Sequence, residues 1–545
     1  MKRLTWTILG LGMVVGCSAA DHASDGADYG PAGANDGVYP SYPTASGGST
    51  SGEDASAEDE NEDSTAMGGA DQFEAVGTNP FVVVLHDPLS TFAADVDTAS
   101  YDYFRTTVDA GYLPDPASVR LEEFVNYFSY DYPAPEPEAA EPFSIHLEAA
   151  ANLVDRETTV LRVGIQGKVV PPSEKRPTNL VFLVDVSGSM SEELDLVQEV
   201  LRDTTSLLDE TDTISIVTYA GSVGTLLSAT PVSQKDLILE RINALVSGGS
   251  TNGAGGIQAA YAEAESAFIE GGINHVLLCT DGDFNVGVSS TDELEELIVE
   301  KRKSGVTLTV LGFGYGNTND AMMERVSNAG NGIYGYIGSE QDASAYVEER
   351  MLQTIVHIAK DVKLQVEFNP EHVYAYRLLG YENRAIADED FRDDIVDAGE
   401  IGSGHRVTAL YELVLSQANL PAASEAPALG DGAVYAGAVE VSPEDLVLVK
   451  VRYKAPGASE QDPAAEVSAT LTPSQVHGEL GSADSDLQWA VAVASFAEIL
   501  KQSPYADRSV LPALQLILSA QAARDEERAT FQRLVGTAES LLSEN

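Results

Sequence analysis

The sequence predicts an α/β protein: a doubly wound parallel-sheet domain inserted in a β-sandwich, with a helical segment before it and a helical cap after it. Three observations carry that prediction. Apolar runs near 180–184, 214–219, 276–279 and 306–313 alternate with helical patterns at 192–208, 235–246, 256–268 and 292–303. This order gives a parallel sheet covered on both faces, with right-handed crossovers. On either side of that block, at 143–148, 159–166 and 362–368, apolar and polar residues alternate as in antiparallel strands with one wet face. The closing stretches 487–500 and 510–542 have helical periodicity with Ala-rich faces, which suits a cap.

At the N-terminus, Lys2 and Arg3 precede an apolar segment from Leu4 to Val15 that is too short to span a bilayer. It ends in Val14-Val15-Gly16-Cys17, which resembles the bacterial lipobox. The expectation is a lipoprotein signal peptide over 1–16 and an acylated Cys17 at the start of the mature chain. Ordinary secretion, with cleavage after Ser18-Ala19-Ala20, is the competing reading. Ser18 after the cysteine resembles the pattern of outer-membrane sorting, so the chain is expected in the cell envelope, lipid-anchored, on the periplasmic or surface face. Residues 17–72 are dominated by Gly, Ser, Ala and acidic residues, with about a dozen carboxylates and no Lys or Arg after the cysteine. Such a segment cannot bury enough apolar surface to offset its ordering entropy, and it reads as a disordered, self-repelling stalk.

The whole chain of 545 residues carries 31 basic against 86 acidic side chains, a formal charge of −55. A surface of that sign repels phosphate backbones, which argues against nucleic acid as a partner. The only cysteines are Cys17 and Cys279. With Cys17 assigned to the lipid, Cys279 is a buried strand thiol.

Residues 73–135 form an N-terminal region with helix-like stretches after Leu89 and from Val119. Within it, Asp95-x-Asp97-x-x-Ser100 invites a metal reading, but short polar side chains in this pattern more often cap and turn. Residues 136–175 supply strands of the flanking sandwich, 358–480 a C-terminal β region, and 481–545 the cap.

The inserted domain, 176–357, holds the chemistry. Its first strand ends at Asp185, and Asp185-x-Ser187-x-Ser189 places a carboxylate and two hydroxyls on a tight turn. Gly248-Gly249-Ser250-Thr251-Asn252 precedes a second helix, and Thr280-Asp281-Gly282 follows another buried strand. In an open sheet of this kind ligands bind beyond the carboxyl ends of strands, where the winding order reverses. Adjacency of the Asp185 and Asp281 strands there would gather all three loops. Oxygen donors without His or Cys suit a hard cation such as Mg²⁺, with Mn²⁺ or Ca²⁺ as substitutes.

These three loops resemble the metal-ion-dependent adhesion site (MIDAS) of von Willebrand factor type A (VWA) domains. The resemblance implies that Ser187 and Ser189 bind the ion directly, that Thr251 binds directly or through water, and that Asp185 and Asp281 balance charge. It further implies that the vacant position takes a Glu or Asp carboxylate of a partner protein. The stretches DVDTASY (from Asp95), VRLEEFVNYFSYDYP (from Val119) and LLGYENRAIADEDFRDDIVDAGEIGSGHRVTALYE (from Leu378) resemble the bacterial YfbK-type VWA lipoproteins, from about residue 79 to the C-terminus.

Other motifs carry less. Gly312-x-Gly314-x-Gly316-Asn317 has its third glycine one place early for a dinucleotide loop. Neither a GxxxxGK[ST] nor a GxSxG motif occurs, and the eight histidines lie far apart with no HExxH. His405, in Gly404-His405-Arg406, reads as a hydrogen-bonded turn residue. The oxygen-rich loops lack a neighbouring base of suitable pKa, so the protein is expected to be no enzyme. The function expected is an envelope lipoprotein gripping a protein partner through a divalent cation, for adhesion or complex assembly. An architectural protein with a fold-stabilising metal, and a metal-assisted hydrolase, are the alternatives.

Overall fold

The computed structural model describes residues 73–544, apart from 95–96, 137, 172–173, 283–290, 315–318, 395, 397, 420–434, 436 and 459–461. The leader, Cys17, the stalk, Asp95 and Gly316-Asn317 lie outside the described residues. No helix among the described residues is long and apolar enough to cross a membrane.

In chain order the N-terminal region contains β1 (Val82–Val83), β2 (Leu89–Ala93), α1 (Ala99–Asp109) and α2 (Leu121–Tyr127), followed by β3 (Phe143–Ala151) and β4 (Thr159–Gly167). The inserted domain runs β5 (Thr178–Asp185), α3 (Leu194–Leu207), β6 (Thr213–Tyr219), β7 (Val223–Pro231), α4 (Lys235–Asn243), α5 (Gly253–Ser266), β8 (Ile273–Thr280) and α6 (Thr291–Arg302). It closes with β9 (Thr307–Phe313), α7 (Asp320–Ala329), β10 (Tyr334–Ile337), α8 (Glu340–Glu349) and α9 (Met351–Ile355). Then come β11 (His357–Phe368), β12 (Ala375–Leu379), β13 (Gly399–Gly402), β14 (Arg406–Val414), β15 (Val447–Lys454), β16 (Ala465–Leu471) and β17 (Val476–His477). Helices α10 (Ser485–Leu500), α11 (Leu511–Gln521) and α12 (Glu526–Glu544) end the chain.

The sandwich is built from two sheets. One has the order β1-β12-β14-β4-β3-β17; the other has β13-β11-β15-β16, with β2 also paired to β11. Their facing side chains, among them Leu161, Val163, Ile165, Tyr411 and Leu413 from one sheet and Leu364, Val366, Phe368, Val449 and Val451 from the other, form one core. Period-two alternation explains the choice of residues: odd-numbered positions of β4 enter this core while Val160 turns the other way.

That other face is not wet, contrary to expectation. Every residue of β4 is buried, because α1, α2, α10, α11 and α12 cover the sheet as a single helical layer whose core includes Val160, Leu379 and Leu410. The polar residues that suggested solvent have partners there. Arg162 donates to both carboxylate oxygens of Asp484 at 2.8 Å and lies over the Tyr132 ring. Helix α10 is buried almost all round, since it is packed between sheet and helices. The N-terminal helices and the C-terminal cap are therefore parts of one layer, with Phe531 of α12 against Tyr101 and Phe104 of α1.

The inserted domain leaves the sandwich after β4 and returns at β11. Its six strands have the order β10-β9-β8-β5-β6-β7, all parallel except the edge strand β7. Counted within the domain this is the 3-2-1-4-5-6 doubly wound order, and the reversal falls between β5 and β8. Two apolar cores, one on each face of the sheet, fill the space under the helices.

The N-terminal region also grips this domain. The Arg120 guanidinium, 1% exposed, binds Asp320 of α7 at 2.8 Å and Glu123 of α2. Asp97 accepts from Tyr334 N at 2.8 Å and from Arg384 at 2.9 Å, while Ser100 Oγ donates to Ser118 O. Asp97 and Ser100 thus serve the fold through tertiary hydrogen bonds, in place of the expected capping and turn bonds; the N-cap of α1 is Thr98, whose side chain makes no capping bond.

Candidate metal centre

At the reversal point, register places the ends of β5, β6 and β8 side by side: Asp185 opposite Tyr219, and Val184 opposite Cys279. Both neighbours are parallel to β5, so their carboxyl ends share one edge. Asp185 is fully buried there, Ser187 is 1% exposed, and Thr251 and Asp281 are buried. Ser189 is exposed.

The first loop is held by its own carboxylate. Asp185 Oδ1 accepts from Ser187 N at 2.8 Å, and Ser187 Oγ lies 2.9 Å from Ser189 Oγ. The backbone joins it to the second loop, with Gly188 N donating to Gly249 O at 3.1 Å and Gly248 N to Val186 O at 2.7 Å. Gly249 adopts φ 101, a left-handed conformation in which a side chain would be strained. Beyond Thr251, Asn252 caps α5 by accepting from Gly255 N at 3.2 Å, which fixes the helix that follows the threonine. The next turn of α5 passes so close to β6 that a Cβ on Gly256 would meet the Tyr219 ring at 2.8 Å. The third loop is tied to the first through Thr280 Oγ1, which donates to Asp185 Oδ2 at 3.3 Å and accepts from Gly282 N at 3.1 Å.

Electrostatics distinguish this cluster. Burial pushes the Asp185 carboxyl up to about 6, and the nearby Asp281 charge adds to the rise against the lowering hydrogen bonds from Ser187 and Tyr219. Glu193, beside Gly314, is also raised, first by burial, with Asp281 contributing. The groups acting on Asp185 therefore include a second acid and no cation. A carboxyl held up by burial beside a second acid, as Asp185 is, ionises more readily with positive charge next to it.

Hydroxyl and carboxylate oxygens alone are the donor chemistry of a hard divalent ion, so Asp185, Ser187, Ser189, Thr251 and Asp281 fit one. Among the described residues no group of three or more His, Cys, Asp or Glu is poised to hold a metal. An ion at these loops would rely on the Ser and Thr hydroxyls as well. When bound, it would supply positive charge and a position for an outside oxygen.

Sequence reasoning missed Thr280, Tyr219 and Glu193. The first two support Asp185 and the third extends the acidic surroundings. Tyr219 could have been found by setting the carboxyl ends of neighbouring parallel strands in register; Glu193 carried no signal beyond its nearness to Ser189. His405 is a turn residue as expected, its Nδ1 accepting from Gly402 N at 3.1 Å. Cys279 is a free, buried thiol whose pKa burial raises.

Comparison with known proteins agrees with this architecture. The family model for the von Willebrand factor type A domain matches residues 179–350, one described as von Willebrand factor matches 68–162, and one described as Uncharacterized protein YfbK, C-terminal, matches 353–541. Uncharacterized protein YfbK of Escherichia coli K12 is 37% identical over 486 residues, covering 87% of this chain and 82% of that one. The human inter-alpha-trypsin inhibitor heavy chain H3 is 27% identical over 182 residues, 32% of this chain and only 20% of its own. Among solved structures, a von Willebrand factor type A protein from Catenulispora acidiphila aligns over 71% of this chain and 84% of its own, with 14% identity and a TM-score of 0.40. Identity and coverage of this extent, over all three parts of the fold, make the chain a member of the YfbK family of VWA-domain proteins.

Proposed function

We propose that the protein is an envelope lipoprotein that binds a protein partner through a divalent cation, Mg²⁺ or in its place Mn²⁺ or Ca²⁺, held by Asp185, Ser187, Ser189, Thr251 and Asp281. VWA domains commonly bind a divalent metal and mediate protein–protein interaction. The observation that carries the proposal is the meeting of three loops at the reversal of the sheet, where burial and the neighbouring Asp281 hold the Asp185 carboxyl up. A partner's Glu or Asp carboxylate approaching Asp185 and Asp281 on a chain of charge −55 would be repelled unless an ion stood between them. The anchor proposed is a lipid on Cys17, with the stalk lifting the folded part off the outer membrane.

The test is capture of partners from an envelope extract with and without divalent cation, using the wild type and Asp185→Ala. Cation-dependent capture that disappears in the variant supports the proposal; capture that survives both EDTA and the substitution defeats it. Lipidation is tested separately by acyl labelling, which Cys17→Ser should abolish. The raised Asp185 carboxyl also favours a second reading, in which the ion serves the fold alone. EDTA would then lower the melting temperature and leave every partner's affinity unchanged.

A further inference from the structure

At the opposite edge of the inserted sheet, where its two connections enter the sandwich, lies a cavity of about 140 Å³. It is well above the ~10–15 Å³ that admits a single water. Its walls are the amino ends of β8 and β9, the connection into β5, and the start of β11. The eight-residue strand β8 separates this edge from Asp281, a distance of roughly 20–25 Å at 3.3 Å per residue. The cavity is thus independent of the metal loops.

Its chemistry runs against the rest of the chain. Arg176, Arg302 and Lys360 line it together with His357, in a protein of charge −55. Arg302 is already engaged, donating to Asn331 Oδ1 at 2.6 Å and to Ala329 O at 3.2 Å. Arg176 and Lys360 make no side-chain hydrogen bond or ion pair among the described residues, and burial alone acts on the Arg176 guanidinium, pushing its pKa down. The single acid in the wall, Glu400, is taken by Asn331 Nδ2 at 2.6 Å. The His357 Nε2 is buried without a partner, while the ring's other nitrogen faces the Thr354 carbonyl. Gathering like charges around a cavity, two of them without counter-ions, costs free energy that an anion would remove.

We propose that this cavity is a binding site for a phosphate-class oxyanion, held where the inserted domain joins the sandwich. Arg176 contributes a planar fork of donors suited to two phosphate oxygens. Lys360 contributes a mobile point charge, and His357 Nε2 accepts from the P–OH of a protonated phosphate. A ligand there touches both connections at once, so its binding tightens the junction.

The experiment is titration calorimetry on the full chain at constant ionic strength, in EDTA, with inorganic phosphate, sn-glycerol 3-phosphate and acetate as separate probes. Saturable phosphate binding is expected, weakened about tenfold or more for each of Arg176→Gln and Lys360→Gln, the weight of one charged hydrogen bond. Both side chains are only half-buried and unpaired, so without phosphate these variants should melt at or slightly above the wild-type temperature, never below it. Tighter binding of the glycerol ester assigns the site to a headgroup phosphoryl, and tighter binding of inorganic phosphate to the free ion. No saturable phosphate binding, unchanged affinity in the double variant, or acetate binding as tightly as phosphate would each overturn the proposal. Asp185→Ala should leave the phosphate affinity untouched, so failure here and failure of the metal reading are separate results.

Discussion

Replacing Asp185 by asparagine should stabilise the metal-free protein. The carboxyl rises from 3.8 to about 6 on folding, which corresponds to a penalty of about 3 kcal/mol at neutral pH as an upper figure. The amide keeps an oxygen for Ser187 N and removes the charge that Asp281 opposes. For an unfolding unit of the inserted domain's size, ~2–4 °C per kcal/mol gives a rise in Tm of roughly 6–12 °C in EDTA at pH 7.5. The direction with pH follows from the raised pKa: between about 3.8 and 6 the folded state holds the Asp185 proton more tightly, so the contribution of this one group to wild-type stability falls as pH rises through the window. The gap between variant and wild type should therefore be full above pH 6 and close towards pH 4. Adding Mg²⁺ should nearly close the gap at about a hundred times its Kd, where the ion contributes about 2.7 kcal/mol to the wild type, and reverse the ranking at about a thousand times, where it contributes about 4.1 kcal/mol. Differential scanning calorimetry across pH, with EDTA and with Mg²⁺, measures both effects. A variant no more stable than wild type in EDTA at pH 7.5, or an equal Mg²⁺ response in the two proteins, would refute the reasoning.

Three further outcomes are expected. Arg120→Met removes the guanidinium that pairs with buried Glu123 and Asp320 and should cost about 3–5 kcal/mol in urea unfolding. His275, His357 and His405 are pushed down by burial to about 3, 4 and 3; each is stable as the neutral ring. Their contribution is complete above pH 6.5 and lost as pH falls, roughly 2 kcal/mol each at pH 5, and His357→Gln should flatten the acid limb of a stability–pH curve. Gly256→Val drives a side chain into the Tyr219 ring and should lower Tm by several degrees at about 1–3 kcal/mol of overpacking, seen by calorimetry.

Much of the fold was legible because local pattern and global burial agree in the inserted domain. Runs such as Leu180–Val184, apolar without alternation, require cover on both faces, and their spacing by helices dictates parallel pairing. The oxygen-rich turns were legible because motif and strand end coincide at Asp185 and Asp281. The helical layer was not. In β4, Arg162 and Gln166 have the spacing of a solvent face, and only tertiary partners such as Asp484 and Tyr132 show otherwise. The same limit hid the place of β2, whose Leu-Ser-Thr-Phe-Ala is short and is set by pairing with β11, far along the chain. Nor could any motif reveal the cationic cavity, since Arg176, Arg302 and Lys360 lie in three separate segments.

The two connections of the inserted domain end on different sheets, β4 in one and β11 in the other, and both strands are flanked on each side by neighbours. A tug transmitted from the far tip of the domain would therefore divide between the leaves of the sandwich. It would meet whole ladders in shear, not an outer strand that peels away one bond at a time. Built this way, the base would hold its shape under a load applied at the tip.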